Sequence, residues 1–415
     1  MWTKISLRFG GIIINFAVAT RECAHDIIGV MKHNHTIGFD ARLANATPEG
    51  KGHYGRFVID AVAAACPKRG YIRMYVPKRM PNGDYDKIEL RPNVESMEPD
   101  GRVWRWLAPL WRMVGVTHDA KVGGVELYHG LANRLPLGLS RANIRSIVTI
   151  HDLRFMRKAA DGGSLKTLYN KAIYRYTCQR ADRIITISEF AKREIVDHLG
   201  IDPEKIDVIY MGCHKRFTER ITPEQCESVR NKYKLPANYV LSVGTITNNS
   251  NIDLVIRALS KSEMPIDLVI AGRASAYIDR VNKLIAKFNM TSRVHILHGV
   301  AAEDMPAIYS NAIAYLSTSR YDGFNYHIVE ALNVGTAVIA TSGTSHEEAA
   351  GPDAIYVDTD NSAEIRAAIE SVAVNRPMRE SMIAKGKIYA QRFRPEVIAY
   401  NTLKCYKRVG IEIEG

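Results

Sequence analysis

AYLSTSRYDGFNYHIVEALNVGTAVIA, residues 314–340, contains two short apolar runs, Ala314–Ser317 and Ala337–Ala340, separated by a polar loop and a stretch with helical spacing. Strand, loop, helix and strand in that order form the repeating unit of a parallel, doubly wound sheet. Within it, Asp322 and Glu330 stand eight positions apart. With Asp322 in the strand-to-helix loop and Glu330 about two turns into the helix, both carboxylates can face the carboxyl edge of the sheet, where such proteins bind ligands. Backbone N–H groups between them, at the helix start, offer a seat for a diphosphate that the helix dipole favours. A carboxylate accepts two hydrogen bonds from vicinal hydroxyls, so one acid can read a ribose and the other a sugar ring. The plainer reading makes Asp322 a helix cap and Glu330 a solvated helix residue.

The same alternation extends in both directions. Candidate strands upstream are Thr36–Phe39, Ile72–Tyr75, Val125–Tyr128, Ser146–Ile150, Arg183–Ile187 and Lys205–Ile209. A polar segment, Thr218–Lys234, follows, and the pattern restarts with Tyr239–Val243, Ile266–Ile270, Val294–Leu297, Ala314–Ser317, Ala337–Ala340 and Ala354–Val357. The expectation is an α/β protein with two Rossmann-like doubly wound parallel-sheet domains facing a cleft, at residues 31–216 and 235–393. Residues 394–415 read as a terminal helix able to pack back on the first domain. Residues 1–30 hold only a short apolar stretch, Ile12–Ala19, and Met31 looks like a natural start, so they are expected to be a non-native or disordered extension.

With 415 residues, 46% of them hydrophobic, the chain suits two cores rather than one. Its six cysteines, Cys23, Cys66, Cys178, Cys213, Cys226 and Cys405, form no C-x-x-C pair, which points to a reducing cytosol and away from structural zinc. No apolar run approaches the roughly 18–20 residues that span a bilayer, so a cytoplasmic protein is expected. The net charge of +12 is uneven: residues 31–215 hold 30 Lys and Arg against 20 Asp and Glu, and residues 216–415 hold 23 against 22. A basic half suits an anionic partner, such as the inner membrane surface touched peripherally or a lipid pyrophosphate. A nucleic acid fits less well, because no aromatic-basic interleaving accompanies the charge. Solvated surface cations with no partner remain the bland alternative.

Other segments supply chemistry. Gly50–Lys51–Gly52–His53–Tyr54–Gly55–Arg56 follows the first strand. Glycines there suit a loop that must approach a ligand closely. His151, at a strand end, can bond a sugar hydroxyl or shield positive charge at a reacting carbon.

Taken together, these pieces resemble glycosyltransferase family 4, the bacterial group 1 glycosyltransferases of GT-B fold. Asp322 to Glu330, followed by Ala331–Ala340, is similar to that family's E-x7-E region. Ile37–Arg42 with Gly50–Arg56, Tyr128–Leu131, Thr149–Leu153, Ile187–Lys192 and Val208–Cys213 resemble its first-domain elements in order. The resemblance implies a retaining transferase that moves a hexose from a nucleoside diphosphate sugar to a glycan or lipid-linked acceptor in bacterial surface polysaccharide synthesis, with no cofactor and no metal. It assigns catalysis to His151 and Asp322. Donor binding falls to Gly244, Asn249, Ser250, Arg273, Gly323, Phe324, Asn325 and Glu330, and the acceptor side to a loop of Gly52, His53, Tyr54 and Arg56.

Two departures stand out. The family's basic pair after the first strand of the second domain is replaced by Asn249–Ser250, so the diphosphate loses a counter-charge; Arg273 is the candidate substitute. Asp322 stands where glutamate is usual, and Asn325 where the family has glycine. The first departure supports the alternative of a catalytically degenerate relative that binds nucleotide or glycan, or steadies a partner.

Overall fold

The computed structural model describes residues 35–44, 46–47, 50–66, 71–77, 88, 91–100, 104, 106–157 and 165–411, and the backbone of 3–9 and 12–18. The first two strands, β1 (Thr3–Phe9) and β2 (Ile12–Val18), pair antiparallel within the segment expected to be a non-native or disordered extension. The rest of residues 1–30 lies outside the described residues.

Seven strands build the first sheet: β3 (Thr36–Asp40), β4 (Tyr71–Tyr75), β5 (Val94–Met97), β6 (Leu127–Gly130), β7 (Arg145–Ile150), β8 (Arg183–Thr186) and β9 (Ile206–Val208). Six build the second: β10 (Tyr239–Val243), β11 (Asp267–Ala271), β12 (Val294–Leu297), β13 (Ala314–Ser317), β14 (Ala337–Thr341) and β15 (Ile355–Val357). The first runs β5-β4-β3-β6-β7-β8-β9 and the second β12-β11-β10-β13-β14-β15, with every pairing in both parallel. Each sheet grows outward one way from its first strand and then reverses. The reversal leaves a crevice at the carboxyl ends of β3 and β6 in one sheet and of β10 and β13 in the other.

Strands covered on both faces read as apolar runs, and these are buried accordingly: every residue of β6, β13 and β14 is inaccessible. The Ile252–Leu259 helix shows how the layers lock. It turns Ile252, Val255, Ile256 and Leu259 into the second core, each worth about 1.5–3 kcal/mol of burial.

The chain forms two compact units, residues 1–211 with 392–415, and residues 212–391. The Thr218–Lys234 segment lies in the second unit, where Pro223–Tyr233 is a helix opened by a reciprocal Thr222–Gln225 capping box. In the first unit the Pro395–Lys407 helix packs on the Lys51–Ala65 helix. A buried chain of polar groups joins them to the sheet: Tyr406 Oη lies 2.8 Å from His129 Nδ1, His129 Nε2 lies 2.8 Å from Thr149 Oγ1, and Tyr54 Oη lies 3.0 Å from the same oxygen.

One expectation is corrected here. Gly52, His53, Tyr54 and Arg56 do not form a loop; all four lie within the Lys51–Ala65 helix. The glycine needed for a turn is Gly50, at φ +57° on the helix N-cap. Gly52 serves close packing instead, since a Cβ there would sit 2.0 Å from the Thr47 carbonyl oxygen. Tyr54 and Arg56 are buried, and Arg56 Nη1 donates to the carbonyls of Ala44 and Thr47 at 2.8 and 2.7 Å.

Candidate functional site

In the second unit the crevice at β10 and β13 is where the predicted donor residues gather. Two loops meet there. After β10, Gly244 takes φ +121°, and a Cβ on Gly272, at the end of β11, would lie 1.9 Å from the Gly244 carbonyl oxygen. Only glycine permits that approach. Gly244 N–H donates to the Ala271 carbonyl and Ile246 N–H to that of Arg273, which holds the two strand ends together. Arg273 itself is exposed.

Asn249 and Ser250 bind loop to loop. The Asn249 side-chain amide donates to the Tyr321 carbonyl at 2.8 Å, and its own carbonyl accepts from Arg320 N–H. Ser250 Oγ donates to the Thr247 carbonyl at 2.6 Å and accepts from Thr247 N–H, and the Ser250 carbonyl accepts from the Thr318 hydroxyl. Both residues thus fasten the loop after β10 to the loop after β13, and neither brings positive charge.

Asp322 lies in the loop after β13, half-buried, with its Oδ2 accepting from Ser319 Oγ at 2.8 Å. Beneath it is His346, fully buried, with Nε2 3.6 Å from Asp322 Oδ2. The Thr341 hydroxyl donates to the Ser319 carbonyl, so its oxygen accepts from His346 Nδ1–H at 2.8 Å. The Asn325 amide donates to Ser317 Oγ, and His346 Nε2 lies 3.2 Å from Ser319 Oγ and 3.3 Å from Ser317 Oγ. Ser345 Oγ donates to the Asp322 carbonyl and secures the backbone as well.

Asn325 is the N-cap of the Tyr326–Val334 helix, its Oδ1 accepting from His327 N–H at 3.1 Å. Gly323 and Phe324 just before it are buried, and no acidic residue occupies the first turn. Glu330 is buried rather than solvated: its Oε2 accepts from the Tyr309 hydroxyl and from His327 Nδ1, each at 2.7 Å. Burial, then the charge of Glu330, pushes the Tyr309 phenol well above its usual pKa, so it stays a donor. The His327 ring also faces Gly244: a Cβ built on that glycine would lie 3.7 Å from Nε2. Asp322, Asn325, Glu330 and Gly244 therefore belong to one crevice, and His327, His346 and Tyr309 belong with them.

His151 is in the first unit, at the end of β7, and is buried. Its Nε2–H donates to the Leu131 carbonyl at 2.8 Å, its backbone N–H donates to Asn133 Oδ1, and its ring meets Tyr54 edge-on at 4.6 Å. Burial, then the Lys51 charge, lowers its pKa to about 4, so the ring is neutral near pH 7. Among the described residues no group of three or more His, Cys, Asp or Glu is placed to hold a metal ion, and no helix is long and apolar enough to cross a membrane.

Two doubly wound parallel sheets, one in each unit, are the architecture of the GT-B class of glycosyltransferase. Residues 227–389 match the profile "Glycosyl transferases group 1" and residues 58–215 match "Glycosyltransferase Family 4". The chain belongs to the group 1 glycosyltransferases. It is 26% identical over 286 residues to the O-antigen chain mannosyltransferase B of Escherichia coli, covering 68% of this chain and 74% of that one. It is 24% identical over 225 residues to the O-antigen chain mannosyltransferase RfbU of Salmonella typhimurium, covering 54% and 60%. Among solved structures, HepE of Anabaena with UDP and glucose superposes with a TM-score of 0.73 at 17% identity, covering 91% of this chain and all of that one. Sucrose-phosphate synthase of Thermosynechococcus elongatus gives 0.74 at 19% identity, covering 90% and 98%.

Proposed function

We propose that this glycosyltransferase moves a hexose, mannose being the first candidate, from a nucleoside diphosphate sugar to a glycan or lipid-linked acceptor in surface polysaccharide assembly, with retention at the anomeric carbon. One observation carries the reading: Glu330 and Asp322 are each held by dedicated donors at the same crevice of the second sheet. An anchored carboxylate presents its remaining lone pairs to hydroxyls at little entropic cost. In this reading Glu330 receives the ribose and Asp322 the sugar ring, while the N-terminus of the Tyr326–Val334 helix and exposed Arg273 face the diphosphate. The bond from the anomeric carbon to the diphosphate breaks, the acceptor oxygen bonds to that carbon from the same face, and the acceptor proton passes to the departing diphosphate. The O-antigen mannosyltransferases among its relatives support mannose and polysaccharide, and the bound UDP and glucose of HepE support a nucleotide sugar.

A second reading, a relative that binds without turnover, draws on Asn249 and Ser250, which are committed to loop fastening where a cation pair is expected. Calorimetry with UDP-, GDP- and ADP-sugars, followed by nucleotide release with candidate acceptors, separates the two. Binding with release supports transfer, binding without release supports the second reading, and no binding by any donor defeats both.

A further inference from the structure

At the crevice of the first sheet, Arg42, Lys51, Arg112 and Arg134 surround a hollow of about 430 Å³, together with Asn133, Asp152 and Tyr174. The four cations come from separate segments: the turn after β3, the start of the Lys51–Ala65 helix, the Trp111–Gly115 segment and the loop after β6. None of the four side chains makes an ion pair or a hydrogen bond with a described residue, and the buried Arg42 Nε has no hydrogen-bond partner among them. Among the described residues, one carboxylate, Asp152, shares the wall with four positive charges. The imbalance registers on the cations themselves. Burial lowers the pKa of Arg42, with Asp40 opposing and Arg112 and Arg134 adding to the fall. Burial lowers Lys51 too, with Asp152 opposing and Arg154, Arg42 and Arg134 adding. The fifteen-residue helix that starts at Lys51 also has no side-chain cap on Gly50 and no acid in its first turn, so within those residues nothing offsets its positive dipole end.

Holding unpaired cations together in a partly desolvated hollow is unfavourable unless an anion joins them. The volume exceeds that of a bare ion and lies in the range of small-molecule sites, and the amide, carboxylate and phenol on the wall suit hydroxyls. We infer that this hollow binds a phosphate or diphosphate ester, the anionic group of the acceptor, with Arg42, Lys51, Arg112 and Arg134 as its ligands. The assignment to the acceptor rests on the transferase reading above; the anion site does not.

The test uses the full chain with inorganic pyrophosphate as probe, measured by calorimetry with the donor nucleotide saturating so that the second unit is filled. Wild type is expected to bind it, and Arg42→Gln and Lys51→Gln to weaken binding roughly 10-fold or more each, the loss of one charged hydrogen bond. Arg134→Gln changes an exposed residue and guards against a folding artefact; it is expected to weaken binding in the same direction. Nucleotide affinity is expected to stay unchanged in all three, which separates failure here from failure of the donor assignment. Vesicles of anionic phospholipid form the second arm. Unchanged pyrophosphate affinity in the variants, or none in wild type, overturns the inference; lost vesicle binding with unchanged pyrophosphate affinity overturns it in favour of a membrane-facing patch.

Discussion

His327 and Glu330, one helical turn apart, meet at 2.7 Å between Nδ1 and Oε2, and the same histidine ring stands against the backbone of Gly244. The helix thereby orients its own acid and closes on the glycine turn after β10. Removing the ring is expected to loosen Glu330 without removing the carboxylate. His327→Ala should weaken donor nucleotide binding about 10-fold, and Glu330→Ala should abolish it, since a charged hydrogen bond contributes about 1.5–3 kcal/mol. Calorimetry checks both; a Glu330→Ala protein that binds as tightly as wild type refutes the assignment of Glu330.

Replacing Ser250 by lysine restores a cation at the cost of a cap. The Ser250–Thr247 pair is expected to contribute about 1 kcal/mol, and its loss to lower the melting temperature of the second unit by about 2–4 °C. Nucleotide release should nevertheless rise if the natural site lacks only charge. Scanning calorimetry beside a turnover assay reads the two effects separately.

Gly272→Ala tests the close strand-end approach. Its Cβ has no room against the Gly244 carbonyl, so a loss of more than about 2 kcal/mol in urea unfolding is expected, with weaker nucleotide binding. A loss under 0.5 kcal/mol, roughly the scatter of neutral surface changes, contradicts it.

Acid should unfold the first unit early. Burial lowers His129 to about 3 and His151 to about 4, against an ordinary value near 6.5. Below pH 6.5 the unfolded chain takes up two protons that the folded one refuses, so stability falls as pH falls. The slope is about 1.4 kcal/mol per pH unit for each histidine, ending near pH 4 for His151 and near pH 3 for His129. Denaturation between pH 7 and 4 measures it, and a flat profile over that interval rules it out.

Apolar runs made most of the fold readable. Tyr239–Val243 and Ala314–Ser317 are strands over the residues expected, because a strand covered on both faces has little choice of composition, and the partly buried edge strand Val294–Leu297 also falls where expected. β5 escaped because Val94–Met97 reads Val-Glu-Ser-Met and is largely exposed, so no run marks it. Polarity likewise hid the Pro223–Tyr233 helix, although its Thr222–Gln225 capping box was there to read. Glycine density misled at Gly52, where the missing side chain serves helix packing rather than a turn. At the site, the spacing of Asp322 and Glu330 was visible because both lie on one loop-helix segment. Their supports were not: Tyr309 and His346 arrive from the helices on either side, and only the winding of the sheet brings them in.

The Tyr406–His129 contact has a consequence for synthesis. As the polypeptide leaves the ribosome, residues 212–391 are complete before the segment that finishes the preceding unit has been made. The earlier half must wait, with the surface later covered by Pro395–Lys407 still bare, until that helix too has been made.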